Sequence, residues 1–299
     1  MADLVSDRPA FWPVDRVFIA YLAALAVVIA IAYPGPLPLI AAHAASIGLI
    51  AAAARTRRWP RLVSLFRHWY PLAFIPPCYR ETALLIPAIR HTDFDAQIAR
   101  LDYRLWGANP TVWLERLQNP WATEILQIAY TLFIPCVILV AVAIWAKKLY
   151  PEFRYYAFLV TLGFLASYVG YMLVPVRGPR FFLGHLQHVD LGGVWLVEPM
   201  RRVLDRLESA HFDCFPSGHT ELTIIAWWSS RAVSKRLFAV FGLYTILIVT
   251  ATVYLRYHYT VDVFAGMVIA AAVLAVSPGL YTALAVSRPA RTTSTEVLH

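Results

Sequence analysis

The chain has 299 residues, of which 60% are hydrophobic and only 15% charged, with a formal net charge of +8. A soluble domain carries nearer a quarter charged residues, and apolar runs of about 18 or more residues recur here, so the composition excludes an ordinary soluble fold. The basic excess falls in short clusters between apolar runs, with no basic face of interleaved aromatics, which argues against nucleic acid as a partner and for membrane topology.

In chain order, eight apolar spans can be drawn. Met1 to Arg16 is polar, and the run after it ends in Tyr33-Pro34-Gly35-Pro36 rather than a small-residue cleavage site, which predicts an uncleaved first span, Val17 to Ala32. Leu37 to Ala54 is the second. The third, near Trp69 to Ile89, is the weakest, because Pro76 and Pro77 break it and Arg80 and Glu81 charge it. The polar stretch Phe94 to Asn119 has an amphipathic helical pattern and leads to a fourth span, Ala122 to Ala146. The fifth, Tyr155 to Val174, stops at Pro175. A long polar connection, Val176 to Cys214, precedes a short sixth span from about Ser217 to Ser230; the seventh is Leu237 to Tyr254 and the eighth about Tyr259 to Ala283. The expectation is an all-α polytopic membrane helical bundle of about eight transmembrane helices. It forms a single domain over 1–299, with 285–299 a flexible cytoplasmic tail. Cys78, Cys136 and Cys214 are odd in number, lack metal-like spacing and read as small packing residues.

Basic clusters at 55–67 (Arg55, Arg57, Arg58, Arg61, Arg67), 147–154 (Lys147, Lys148, Arg154), 231–236 (Arg231, Lys235, Arg236) and 288–291 (Arg288, Arg291) follow spans two, four, six and eight. The positive-inside rule then puts all four clusters and both termini in the cytoplasm. The loops 88–121, 176–216 and 255–258 face outward.

Chemistry-bearing residues gather on that outer side. Pro216-Ser217-Gly218-His219-Thr220 sits where the long loop becomes an apolar helix. Ser217 is a good N-cap, free N–H groups of a helix start attract anions, and Gly218 lets a phosphate approach closely. His219 sets an imidazole beside that nest, although an ordinary cap with an interfacial histidine is the alternative. In Arg256-Tyr257-His258-Tyr259-Thr260-Val261-Asp262, His258 and Asp262 are four apart, a helical spacing that puts both on one face. A carboxylate there can hold the imidazole's tautomer and raise its basicity; a structural His–Asp pair tying helix ends is the alternative. Arg177 and Arg180, in Pro175-Val176-Arg177-Gly178-Pro179-Arg180, make a compact cationic turn suited either to phosphate oxygens or to lipid headgroups.

Together these segments resemble the type-2 phosphatidic acid phosphatase superfamily, which also includes vanadium haloperoxidases and bacterial acid phosphatases. Pro-Ser-Gly-His matches its second signature and His-x-x-x-Asp the core of its third. The fuller strings Cys214-Phe215-Pro216-Ser217-Gly218-His219-Thr220 and His258-Tyr259-Thr260-Val261-Asp262 look most like the branch of inositol phosphorylceramide and sphingomyelin synthases. So does Leu101-Asp102-Tyr103-Arg104-Leu105-Trp106-Gly107 to Tyr130. The likeness covers roughly Leu101 to Gly266 and implies a catalytic core, about 101–284, with that superfamily's helical bundle. It implies a membrane phospholipid or sphingolipid substrate, an alcohol or water acceptor, and neither cofactor nor metal. His258 would attack phosphorus with Asp262 orienting it. His219 would protonate the leaving oxygen and then activate the acceptor, while Ser217, Gly218 and Arg180, joined by Arg177, would hold the non-bridging oxygens.

The match has gaps. The lysine of the first signature falls at Leu173, and the Ser-Arg that opens the third is replaced by Ala251-Thr252. Arg256 is nearer the nucleophile and either substitutes as a phosphate ligand or anchors the interface. These losses shift the expectation from a simple lipid phosphate phosphatase to a phosphotransferase working on the outer face of the plasma (inner) membrane. Among other groups, His185, His188 and Asp190, and separately His91, Asp93 and Asp95, have spacings open to a metal but no evident fourth ligand. Arg80 and Glu81 either pair with each other or line a polar headgroup cavity. His211 and Asp213 lie close to the phosphate motif or are solvated loop residues. A non-catalytic transporter or scaffold is the competing function; it would leave the His/His/Asp set unexplained, and no inverted repeat is visible.

Overall fold

In the computed structural model, described for residues 11–56, 58, 60–207 and 212–285, the apolar runs are helices and no strand forms among the described residues. The C-terminal tail, Arg57, His211, Arg288 and Arg291 lie outside the described residues. In order the α-helices are α1 (Pro13–Ala32), α2 (Leu37–Arg55), α3 (Pro60–Ile89), α4 (Asp95–Trp106), α5 (Pro110–Trp113), α6 (Pro120–Thr131) and α7 (Phe133–Ala146). They continue with α8 (Tyr150–Leu173), α9 (Pro179–Phe182), α10 (Val197–Leu207), α11 (Gly218–Ser230), α12 (Lys235–Tyr254) and α13 (Thr260–Ala285). Prolines open several of them, at a position where the missing N–H would have had no partner in the helix. Asn119 and Ser234 cap α6 and α12 by accepting N–H groups of the first turn.

Five helices, α1, α2, α8, α12 and α13, are long and apolar enough to cross a bilayer; α6 and α7, bent by 51° at Leu132, make a sixth if the pair is one span. On the inward side α1 lays down the stripe Val14, Phe18, Leu22, Leu25 and Ile29. Outward, Ile31, Val240, Leu243, Ile246, Val268 and Val276 are each more than half exposed. Such faces are a liability in water and ordinary against lipid. The chain is a multi-pass membrane protein.

Two expected spans differ from the drawing, while the short sixth is close to its expected bounds. α3 runs unbroken through Pro71, Pro76, Pro77 and Pro87, so the anticipated break at Pro76-Pro77 does not occur. The fourth span is broken instead, at Leu132. α11 has 13 residues, about 20 Å of helix against a hydrocarbon core of about 30 Å. Around α8, whose inner residues from Phe153 to Tyr171 are largely buried, pack α1, α3, α7, α11 and α13. α11 also lies against α7, α12 and α13, which seats the helix that begins at Gly218 in the centre of the bundle.

Polar staples bind the first three helices. On α1, Asp15 accepts the Tyr70 hydroxyl at 2.6 Å and the Arg67 guanidinium at 2.9 Å, both from α3, and Arg67 also lies 4.0 Å over the Trp12 ring. Deeper in the sequence of α2, His43 bridges both neighbours, with Nδ1 2.9 Å from the Leu22 carbonyl and Nε2 2.8 Å from Glu81. Glu81 therefore pairs with His43 and not with Arg80. The two adjacent charges point to different places.

His43→Ala leaves the Glu81 carboxylate buried without its partner, and breaking one side of a buried pair costs about 3–5 kcal/mol. The expected result is a lower thermal-unfolding midpoint in detergent, largely recovered by adding Glu81→Leu. A His43→Ala protein that melts with the wild type would show that this pair does not hold α2.

Candidate active site

Three segments remote in sequence converge at one end of α11. Cys214 N–H donates to the Val176 carbonyl at 3.1 Å, Arg180 N–H to the Arg256 carbonyl at 3.1 Å, and Ser217 N–H to the Asp262 carbonyl at 3.0 Å. Ser217 caps α11 as its sequence suggested, accepting the Thr220 N–H at 3.3 Å. Glycine is required at two close approaches. A Cβ on Gly218 would sit 2.6 Å from the Tyr171 hydroxyl, and Gly178 has φ +100° with the Tyr257 carbonyl 3.0 Å from where a Cβ would lie.

Helix α4 ties these turns together. Its Asp95 accepts the N–H groups of Arg177 at 2.8 Å and Gly178 at 2.9 Å, and the Tyr259 hydroxyl at 3.2 Å. Seven residues on, Asp102 accepts the Val261 N–H at 3.1 Å and the Thr260 hydroxyl, so two turns of one helix face serve the start of α13 and the arginine turn. Both carboxylates are buried; burial raises their pKa values above the usual carboxylate range, against the pull of these same donors. Asp95 thus belongs to backbone capping rather than to a metal set with His91 and Asp93. In the sequence Asp95 reads only as a candidate metal ligand and Asp102 stands only within the family-like string; their shared role has no signal beyond two aspartates seven apart on an amphipathic helix.

His258 lies two residues ahead of α13, so the helical-face argument for its partner does not apply. Its Nδ1 is 2.8 Å from the Cys214 carbonyl and 3.6 Å from Asp262 Oδ2. A carbonyl oxygen only accepts, so Nδ1 carries the proton and Nε2 keeps its lone pair. Asp262, at the third position of α13, accepts the Tyr259 N–H at 2.7 Å, the carboxylate half of a capping box. It also accepts the Cys214 thiol at 2.9 Å. Burial first, and the Asp262 charge second, hold that thiol well above its usual pKa, so it remains a donor. Cys214 is more than the packing residue its spacing suggested. The atoms of Cys214, His258 and Asp262 form the one cluster close enough for a metal among the described residues; His185, His188 and Asp190 do not form one.

His219 Nδ1 faces His258 Nε2 at 3.4 Å. The His219 ring stacks on Tyr130 at 4.2 Å, with Phe133 tilted against it at 4.4 Å, and Tyr130 stacks in turn on Tyr257 at 4.0 Å. Tyr130 and Phe133 flank the α6–α7 bend, so the bend grips this histidine.

Both imidazoles, with Gly218, Arg177 and Arg180, line a cavity of about 520 Å³ whose remaining lining is largely apolar, including Ile75, Phe133, Ile134 and Phe164. Arg180 lies 3.1 Å from Asp205 of α10, and Arg177 lies 3.2 Å from Asp93. Asp213 also lines it and accepts the Tyr79 hydroxyl at 2.5 Å. Burial raises its pKa, opposed by that hydroxyl and by the neighbouring His258 and Arg180. Ser217 and Asp262 sit behind the cavity wall, fully buried. Arg256 does not line the cavity and is engaged with Glu115 at 2.8 Å and the Val189 carbonyl at 2.6 Å, which is the geometry of a loop anchor.

Known proteins bear on this arrangement. The chain is 32% identical over 99 residues to a PA-phosphatase related-family protein of Dictyostelium discoideum, a match covering 32% of this chain and 18% of that protein. The chain therefore matches less than a fifth of that relative's length. No solved structure matches it. The model of the PAP2 superfamily matches residues 96–276, more than half of the chain and all of the cavity lining except that from α3, and the chain belongs to that superfamily.

Proposed function

We propose that this protein cleaves a lipid phosphate ester through His258 and passes the phosphoryl group, or a phospho-headgroup, to an alcohol. The observation that carries this reading is the oriented His258, with Nδ1 bound to a carbonyl and Nε2 aimed across the polar end of an apolar cavity at His219. Nε2 attacks phosphorus, His219 protonates the departing oxygen, and a phosphohistidine forms. His219, now neutral, takes the proton of the acceptor hydroxyl as its oxygen attacks phosphorus and releases His258. The N–H groups at the start of α11, capped by Ser217, and the Arg180 guanidinium hold the non-bridging oxygens. The scheme uses no metal or cofactor.

Two adjustments accompany substrate entry. A phosphoryl group cannot fit between imidazole nitrogens 3.4 Å apart, so His219 moves, and Arg180 exchanges Asp205 for phosphate. Transfer rather than hydrolysis is favoured by the apolar wall, which restricts water, and by the likeness to sphingolipid headgroup synthases. On that likeness the substrate is a membrane phospholipid or sphingolipid.

The same reading places eight spans, counting α3, the bent α6–α7 pair and the short α11, with both termini cytoplasmic and the site facing outward in the plasma (inner) membrane. Contacts between basic clusters support this sidedness. Lys147 donates to the Val233 carbonyl, joining the second cluster to the third, and Arg67 and Arg154 both lie over the Trp12 ring, joining the first to the second.

Purified protein incubated with labelled diacyl and ceramide phospholipids, with and without alcohol acceptors, is expected to yield a new headgroup-bearing lipid; free inorganic phosphate as the only product would instead establish hydrolysis. His258→Ala is expected to abolish either product, and His219→Ala to slow it by about 10²- to 10⁴-fold. An unchanged rate in His258→Ala would remove the mechanism. Orthovanadate binding is expected to weaken in Arg180→Ala and to tighten in Asp205→Asn, which removes the competing carboxylate charge; equal affinities in all three proteins would place the phosphate elsewhere. Asp102→Ala, which strips the acceptor from the start of α13, is expected to lower kcat by about 10- to 100-fold while Asp102→Asn recovers part of it. A loss confined to thermal stability would show that Asp102 does not position His258.

A further inference from the structure

Three arginines line the cavity, and two of them have carboxylate partners, Arg177 with Asp93 and Arg180 with Asp205. The third is Arg80 on α3. It is exposed, and it makes no hydrogen bond, ion pair or ring contact among the described residues. Its sequence neighbours are both taken. Glu81 is bound to His43, and the Tyr79 hydroxyl is bound to Asp213. A guanidinium stays charged at any physiological pH, and an unmatched cation on a helix inside a membrane bundle is costly unless a ligand matches it.

The superfamily cations expected elsewhere are missing. Leu173 stands at the lysine position, and Thr252 is fully buried with its hydroxyl on the Val249 carbonyl. The transferred phosphoryl already has the α11 start and Arg180. Arg80 comes from another helix, beside the apolar residues Ile75 and Pro76 of the same cavity wall, where an anion on a different part of the molecule would lie.

We propose that Arg80 binds a second oxyanion of the substrate, so that the preferred lipid carries an anionic group besides the phosphoryl group that reacts. The shared chemistry is a phosphate or carboxylate able to take a forked hydrogen bond. The inference rests on the phosphoryl-transfer reading of the site. It also predicts a split in substrate preference that the catalytic residues do not.

The test uses the full chain in detergent with three labelled short-chain lipids: a lipid monophosphate, the corresponding lipid diphosphate, and a phosphodiester whose headgroup bears a carboxylate. Binding is measured in His258→Ala, which holds substrate without turnover, and in the same chain with Arg80→Gln or Arg80→Lys. Arg80→Gln is expected to weaken one or both two-anion lipids by about 10- to 100-fold and to leave the monophosphate nearly unchanged. Which lipid responds tells phosphate from carboxylate, and Arg80→Lys recovers only part because its ammonium lacks the fork. Equal weakening of all three would put Arg80 on the reacting phosphoryl and overturn the proposal; no weakening of any would make it a headgroup anchor and overturn it as well. With His258 intact, Arg80→Gln should raise KM for the two-anion lipid and spare kcat. If the binding pattern holds but no lipid is turned over, the phosphoryl-transfer reading fails and the Arg80 assignment stands.

Discussion

The site is built from turns that no sheet holds, and buried aspartates do the work a ladder would do. Asp95 accepts two successive N–H groups of the arginine turn, Asp102 accepts the second N–H of α13, and Asp262 accepts the N–H just before it. Each satisfies backbone donors at or near a helix start, which would otherwise be orphaned away from water. All three carboxylates are at most 1% exposed, so none can fall back on solvent. Their removal would release the arginine turn or the start of α13, and with that start goes His258, the proposed nucleophile.

One consequence is a division of labour around His258 that differs from a simple His–Asp couple. The Cys214 carbonyl sets the tautomer at 2.8 Å, while Asp262 stands off at 3.6 Å and holds the loop through Tyr259 and Cys214. On the proposed mechanism, the carboxylate at that separation still favours the positive charge that would develop on the imidazole as phosphorus bonds to it. It therefore serves position and charge together without donating or taking a proton.

How much of this was legible depended on whether the partner was local. The Ser217 cap and the helix after it could be read because capping chemistry acts over three residues. The pairing of His258 with Asp262 was right as a neighbourhood and wrong as a geometry, since α13 begins at Thr260 and the two are joined through a turn. Asp102 was visible only as part of a family-like string, because its partners, the N–H of Val261 and the hydroxyl of Thr260, lie about 160 residues away. Periodicity tells which face a helix presents and not what that face meets. The same limit explains Arg80 and Glu81: adjacent in sequence, they point in different directions on α3, one to His43 and one to the cavity. It also explains α3 itself, where Pro76 and Pro77 read as a break although the helix is continuous.

The distance between the two histidines constrains how a substrate can enter. His219 is clamped between Tyr130 and Phe133, one on each side of the 51° bend at Leu132. Tyr130, Thr131, Phe133, Ile134 and Pro135, at that same bend, line the cavity. Separating the imidazoles enough to admit a phosphoryl group requires either that His219 slide between its two aromatic neighbours or that the bend itself shift. In the first case Tyr130 is steadied by its stack on Tyr257, next to His258, and His219, the proposed acid, moves alone. In the second, the cavity wall moves with the acid, so that lipid entry and placement of His219 become one event. Both routes pass through Tyr130, which ties the α6–α7 bend to the loop that carries His258.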